Sequence, residues 1–429
     1  FMHKFKLDAN GKGIVLSIGD KHYDEAARLI RLLRALNNRY PIQIVYNDGL
    51  SEITKTRLIK VARETYNTLP TSFDAVRHMF PNDYLDAKEG GLPKQELWFV
   101  NVNSAINDQY KGKFQGFSNK FLATLFNSFE EFLLVDADTV MMQHPDFFFK
   151  LENFVDNGAF FYKDRTAPHF RPAADSVFFK KITPSLIDQT MFDIPVATRK
   201  SLDIDFFHGM FYYMESGLVV LNRNIHFDAI LMMIQMNFYD PVAKRVYGDK
   251  EIFWLAFVTV GHENYHFNEF YAAAIGEETP MEDRVENSAP RLFKSRELCA
   301  AHPAHIGAES GYPLHWFNSG FRFCGQSEKV DYEKEFKQGK RYKWLKSKEE
   351  MKTFYSNPMK IRHAVIPPFK DKLETLCENV EGEPKEAWKM DSKYCNSYLW
   401  CAYSRIGGKT SLGIENTQQG KFIEFEQDK

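Results

Sequence analysis

The chain has 429 residues, a formal net charge of −2, 44% hydrophobic residues and a high aromatic content of 39 Phe and 20 Tyr. That length and composition suit one large or two ordinary domains with a substantial core. The near-neutral charge excludes a global field that would recruit nucleic acid or an anionic membrane. No run of about eighteen apolar residues is present to span a bilayer, and the start at Phe1-Met2-His3 lacks the pattern of a signal peptide.

Gly13 to Gly19 (GIVLSIG) reads as a short strand of branched residues, and Asp24 to Leu36 as a helix with Ala26, Ala27, Leu29, Ile30 and Leu33 on one face. Pro41 to Tyr46 is a second strand, closed by the turn residues Asn47-Asp48-Gly49. Ser51 caps a second helix. This alternation predicts a parallel sheet with covering helices. The first strand ends in Ser17-Ile18-Gly19-Asp20 rather than GxGxxG, so a dinucleotide-binding fingerprint is absent. Residues 70–92 read as loop, Leu97 to Val102 as a strand, and Ser118 as the cap of a helix carrying Phe121, Leu122 and Leu125 inward.

That helix leads to Phe132–Val140, FLLVDADTV, an apolar strand ending in an Asp-x-Asp pair. Asp136 and Asp138 have strand spacing, so an extended chain turns both carboxylates to one side. The carboxyl edge of an open α/β sheet is where ligands bind. Paired hard oxygens suit Mg²⁺ or Mn²⁺ when a substrate's phosphates complete the shell. The plainer alternative is one capping and one solvated aspartate.

Further along, Gly158 to Tyr162 and Glu215 to Arg223 (ESGLVVLNR) read as strands, with short helices and loops over 164–210 between them. His226 to Phe238 is a Met-rich helix, and Gly248-Asp249-Lys250-Glu251 opens another, whose acidic first turn complements the helix dipole. His302, His305 and His315 fall in a loop-like stretch, where an imidazole can complete a metal site. Residues 331–360 read as a charged helical appendage, and the tail after Gly407 as polar and disordered. The five cysteines, all beyond residue 298, form no CxxC pair. They suggest two disulfides and one leftover thiol in an oxidising compartment, with connectivity open. No glycosylation sequon supports that location.

The box Asp136-Ala137-Asp138-Thr139-Val140 also fits phosphatases of the haloacid dehalogenase type, with the first aspartate as nucleophile. There, however, the box closes the first strand, and here two strand–helix units precede it. Order along the chain favours a nucleotide-sugar transferase.

The stretches SNKFLATLFNSFEEFLLVDADTV (118–140), MESGLVVLNR (214–223), GDKEIFWLAF (248–257) and LCAAHPAHIGAESGYPLHWFNSG (298–320) together resemble fungal Golgi α-1,3-mannosyltransferases. The resemblance runs over about residues 10–325 and again across the C-terminal cysteines. It implies an α/β GT-A fold, with a catalytic domain over 10–325 divided at 140 into nucleotide- and acceptor-binding halves. A cysteine-containing extension over 326–406 and a polar tail over 407–429 would follow. It also implies a GDP-mannose donor, Mn²⁺, a mannose-terminated glycan acceptor, Golgi partners or self-association, and a type II membrane anchor that this chain lacks.

Under the resemblance, Asp136, Asp138 and His305 hold the metal, and Lys120 meets the donor phosphate or sugar. Glu215 and Asp249 are the carboxylates of the reaction centre. Ser17, Gly19 and Asp48 lie near guanosine. Sister α-1,2-mannosyltransferases share the DxD and a similar ESG turn, so the linkage remains open at this point, as does a non-catalytic mannan-binding protein of the same fold.

Overall fold

In a computed structural model, residues 2–65, 92–167, 169–284, 294–338, 341–368, 378–379 and 383–425 are described. The chain divides into two units, residues 1–162 with 171–267, and residues 163–170 with 268–429.

The first unit is built on β1 (Lys12–Leu16), β2 (Ile42–Tyr46), β3 (Leu97–Asn101) and β4 (Glu131–Val135). After the two-residue strand β5 (Val140–Met141) come β6 (Ala159–Lys163), β7 (Met214–Asn222) and β8 (His266–Phe267). The sheet order is β3-β2-β1-β4-β7-β6-β8. β3, β2, β1 and β4 are mutually parallel, whereas β7 runs antiparallel to β4 with Val135 opposite Leu218. The expected α/β architecture with a mostly parallel central sheet is therefore present. All nine residues of β7 are buried, as are the last four of β4, so these central strands read as continuous apolar runs rather than alternating ones.

The covering helices follow their apolar periodicity. α1 (Tyr23–Ala35) buries Ala26, Ala27, Leu29, Ile30 and Leu33. α2 (Glu52–Arg63) starts at Ser51, whose hydroxyl accepts the Thr54 N–H at 3.2 Å. α3 (Asn119–Phe126) buries Phe121, Leu122 and Leu125, but Ser118 does not cap it. The Ser118 hydroxyl instead donates to Asn237 Oδ1 at 2.8 Å, a partner far off in sequence. α4 (Phe227–Phe238) and α5 (Lys250–Thr259) complete the elements used below. No helix among the described residues is long and apolar enough to cross a membrane.

The second unit departs from expectation in three ways. The histidine stretch is not a loop: β11 (Pro303–Ile306) and β12 (Leu314–Phe317) pair antiparallel with His305 opposite Trp316. The residues after 325 are not a separate appendage. β13 (His363–Ile366) pairs with β9 (Ala273–Gly276), giving the order β19-β13-β9-β11-β12 within this unit, where β19 is Lys421–Glu424. The tail after Gly407 carries regular structure in β17 (Arg405–Lys409), β18 (Glu415–Gln419) and β19. Three further strands form one sheet, β10 (Glu297–Ala300), β15 (Trp388–Asp391) and β16 (Leu399–Tyr403), and β14 is the short Glu378–Asn379. One disulfide is present among the described residues, Cys299–Cys401, while Cys324 and Cys395 are buried thiols. Cys377 and most of the loop read over 70–92 lie outside the described residues.

Candidate active site

The parallel strands β1, β2 and β4 end at one edge of the first sheet, and β7 enters from that same edge. The Asp136 N–H donates to Gly217 O at 2.9 Å, continuing the β4–β7 ladder past Val135. The Thr139 hydroxyl also donates to Gly217 O, at 2.8 Å, closing the DADT turn. The sequence thus places Asp136 and Asp138 directly beside Glu215-Ser216-Gly217.

Lys120 is the hub of this edge. It is buried, at 7% exposure. Its Nζ lies 2.7 Å from Asp136 Oδ1 and 3.1 Å from Asp249 Oδ2. It also donates to Ser216 O at 3.1 Å and Ser216 Oγ at 3.2 Å. Burial pulls the Lys120 ammonium down, but the Asp136 and Asp249 carboxylates outweigh it and hold the group above its ordinary range. Burial pushes the Asp136 carboxyl up to about 7; Lys120 opposes that rise, while Asp138 and Asp249 add to it. Burial raises Asp138 too, with Glu215 contributing repulsion.

The opening of α5 clamps the opening of β7 through three consecutive residues. Asp249, 2% exposed, pairs with Lys120. The Lys250 Nζ lies 2.9 Å from Glu215 Oε2, and Glu215 Oε1 accepts the Gly217 N–H at 3.2 Å. The Glu251 Oε1 accepts the N–H groups of Tyr213 at 2.7 Å and Met214 at 3.2 Å, and its Oε2 accepts the Trp254 indole N–H at 2.7 Å. Burial pushes Glu251 up to about 7 against those three hydrogen bonds. Gly248 precedes the clamp with φ +63°, and an added Cβ would lie 2.9 Å from the Phe117 ring.

Of the expected site residues, the structure brings Asp136, Asp138, Lys120, Glu215 and Asp249 to one edge. Sequence reasoning missed Lys250, Glu251 and Ser216. The available signal was an Asp-Lys-Glu triplet opening a helix with no polar face. Ile252 to Val258 are all buried, so those charges had to be satisfied inside.

The residues read as nucleoside contacts sit at the ends of β1 and β2, on the same edge. Ser17 is half-buried just past β1. Gly19 comes so close to the next turn that a Cβ there would lie 3.0 Å from Gly49 O. Asp48 is exposed and accepts its neighbour Gly49's N–H at 2.7 Å. Asp20 ties the two turns together, accepting the Ser51 N–H at 2.8 Å. His305 belongs to the second unit, where it is fully buried and stacks on Trp316 with ring centroids 4.1 Å apart.

The cluster's chemistry fits a divalent cation. Four carboxylates (Asp136, Asp138, Glu215 and Asp249) face two ammonium groups (Lys120 and Lys250), leaving excess negative charge. Asp136 keeps 26% of its side-chain surface open. Hard oxygen donors with spare lone pairs at a partly open edge are what Mg²⁺ and Mn²⁺ accept.

An Asp-x-Asp turn, a buried lysine and two further buried carboxylates gather at the carboxyl edge of the sheet after two strand–helix units, unlike a phosphatase box, which closes the first strand. Residues 11–307 match the family described as "Mannosyltransferase putative", and the chain belongs to that family. It is 52% identical over 427 residues to the Candida albicans protein named "Putative alpha-1,3-mannosyltransferase MNN12", covering 100% of this chain and 51% of that one. It is 30% identical to the "Alpha-1,3-mannosyltransferase MNT2" of Saccharomyces cerevisiae over 98% of this chain and 66% of that one. The chain thus spans about half the length of the first of these relatives. Among solved structures it is similar to the mannosyltransferase Ktr4p from S. cerevisiae, at 11% identity and a TM-score of 0.33 over 60% of this chain and 68% of that one.

Proposed function

We propose that this chain carries the catalytic part of a retaining mannosyltransferase, which moves mannose from GDP-mannose to a mannose hydroxyl of an N- or O-linked glycan in α-1,3 linkage. The observation that carries the reading is the edge cluster of Lys120, Asp136, Asp138, Glu215 and Asp249. Membership of the mannosyltransferase family and the names of the relatives supply the sugar and the linkage.

In this reading Asp136 and Asp138 hold Mn²⁺. When bound, the cation offsets negative charge on the departing diphosphate. Lys120 holds Asp136 and Asp249 in place through its two ion pairs, and adds positive charge near the leaving group. Ser17, Gly19 and Asp48 contribute the guanosine end. Glu215 and Asp249 flank the sugar, where negative charge stabilises an oxocarbenium-like centre. Both are tied to lysines, which favours front-face attack over a covalent intermediate on either carboxylate. The Cys299–Cys401 disulfide supports residence in an oxidising compartment, which we take to be the Golgi lumen.

The test is transfer from a panel of nucleotide sugars to a mannobiose acceptor, with linkage analysis of the product. The expected result is Mn²⁺-dependent α-1,3 mannose transfer from GDP-mannose. Asp138→Ala should lower it at least ~100-fold while leaving the circular dichroism spectrum intact, an effect of the size that charge-stabilising groups carry. Full activity of that variant, or of the wild type in excess chelator, removes the metal assignment. Absence of transfer with retained mannan binding would point to a non-catalytic protein.

A further inference from the structure

Among the described residues, Glu297, Cys299 and Cys401 bring metal-type ligand atoms within 4.8 Å of one another. Those sulfurs are already bonded to each other, and Glu297 is paired with Arg341 at 2.8 Å, so it is no metal centre. The unused chemistry lies in the same unit, at Cys324 and Cys395. Both thiols are buried at 1% exposure, and their side chains are within hydrogen-bond contact of each other.

Their backbones are anchored through one tyrosine. The Cys324 N–H donates to Tyr355 O at 3.1 Å. The Tyr355 hydroxyl donates to Glu335 Oε2 at 3.0 Å, and the same oxygen accepts the Cys395 N–H at 3.0 Å. Glu335 Oε1 takes the Asn396 N–H at 2.9 Å. Cys395, Asn396 and Ser397 have φ of +51°, +53° and +66°. Three successive non-glycine residues in the left-handed region persist only where surroundings over-determine them, and a covalent tether at Cys395 would do that.

We propose that Cys324 and Cys395 form a second disulfide in the mature protein, stapling the turn at 395–397 to the segment that precedes Tyr355. Two thiols lose two protons and two electrons to an oxidised dithiol carrier, whose own disulfide is reduced to a dithiol as the new S–S bond forms. Burial pushes the Cys395 thiol well above its ordinary range, which disfavours the attacking thiolate once the core has closed. The bond therefore forms during folding and, once buried, resists exchange.

The experiment uses the protein secreted from an oxidising host, alkylated in denaturant without reduction, digested and mapped by mass spectrometry. The expected result is a linked peptide pair holding Cys324 and Cys395, which survives in Cys299→Ser/Cys401→Ser protein and is lost in Cys324→Ser. Alkylation of both Cys324 and Cys395 in unreduced protein would overturn the proposal, and so would linkage of either one to Cys377. Because the single serine variant leaves a buried partner thiol, Cys324→Ala/Cys395→Ala gives the second readout: a lower Tm than the wild type when oxidised, and no difference when both are reduced. Equal Tm values in the oxidised state would also count against the bond.

Discussion

Lys120 bears more of the site's electrostatic load than its neighbours. It is buried between Asp136 and Asp249, and removing one partner of a buried pair leaves charges without compensation. Lys120→Met should destabilise the fold by about 3 kcal/mol at pH 8 in urea titrations, the lower end for buried pairs, since Asp136 remains 26% open to water. The cost should shrink at pH 5, where the Asp136 carboxyl, which titrates near 7, is protonated. Glu251 gives a separate pH signature. Its pKa rises from 4.5 to about 7 on folding, so between those values the folded state binds the extra proton. Stability contributed by that proton is complete below about pH 4.5 and is lost as pH rises toward 7. Unfolding free energy measured from pH 4.5 to 8 should therefore fall with rising pH, and Glu251→Gln should flatten part of the slope. That variant should also lose about 1 kcal/mol at low pH, because its amide N–H₂ faces the Trp254 indole N–H.

Those residues act only if α5 starts in the right place, which depends on Gly248. Gly248→Ala meets both a left-handed φ and the Phe117 ring, and should cost about 1–3 kcal/mol. It should also lower transferase activity more than stability, since Asp249, Lys250 and Glu251 shift together; an activity loss no greater than the loss of folded protein would refute the clamp. Elements of this first unit were legible in the sequence because their patterns are local: branched runs for β1, β2 and β4, and an apolar stripe for α1. The Asp-x-Asp pair marks the edge for Asp136 and Asp138, whereas the place of Lys120, Glu215 and Asp249 beside them rests on the family resemblance. The second unit hid its strands for physical reasons. β11 and β12 are buried along their whole length, so PAHI and LHWF show no inside–outside alternation and their histidines suggested a loop. β18 is the polar run ENTQQ with no residue buried, and exists through backbone pairing with β17. Ser118 fits the sequence preference for caps but spends its hydroxyl on Asn237, a choice made by tertiary structure.

At the scale of the molecule, two units meet the solvent with different means of support. The first rests on a central sheet with buried parallel strands, whereas the second adds a covalent tie. Cys299 and Cys401 are direct partners in the antiparallel β10–β16 pair and are separated by 102 residues. Chain entropy for a loop of that length places the stabilisation at about 2–5 kcal/mol, acting on the register that Glu297↔Tyr403 and Ala300↔Trp400 share. Hydrogen exchange of wild-type and Cys299→Ser/Cys401→Ser protein should therefore differ by unit. Protection in β10, β15 and β16 should fall by a factor of about 30 or more, the equivalent of 2 kcal/mol, while amides of β1, β2 and β4 keep theirs. A uniform loss across both sheets would mean that the chain unfolds as one cooperative body, and that the disulfide supports the carboxylate edge as well as the sheet it spans.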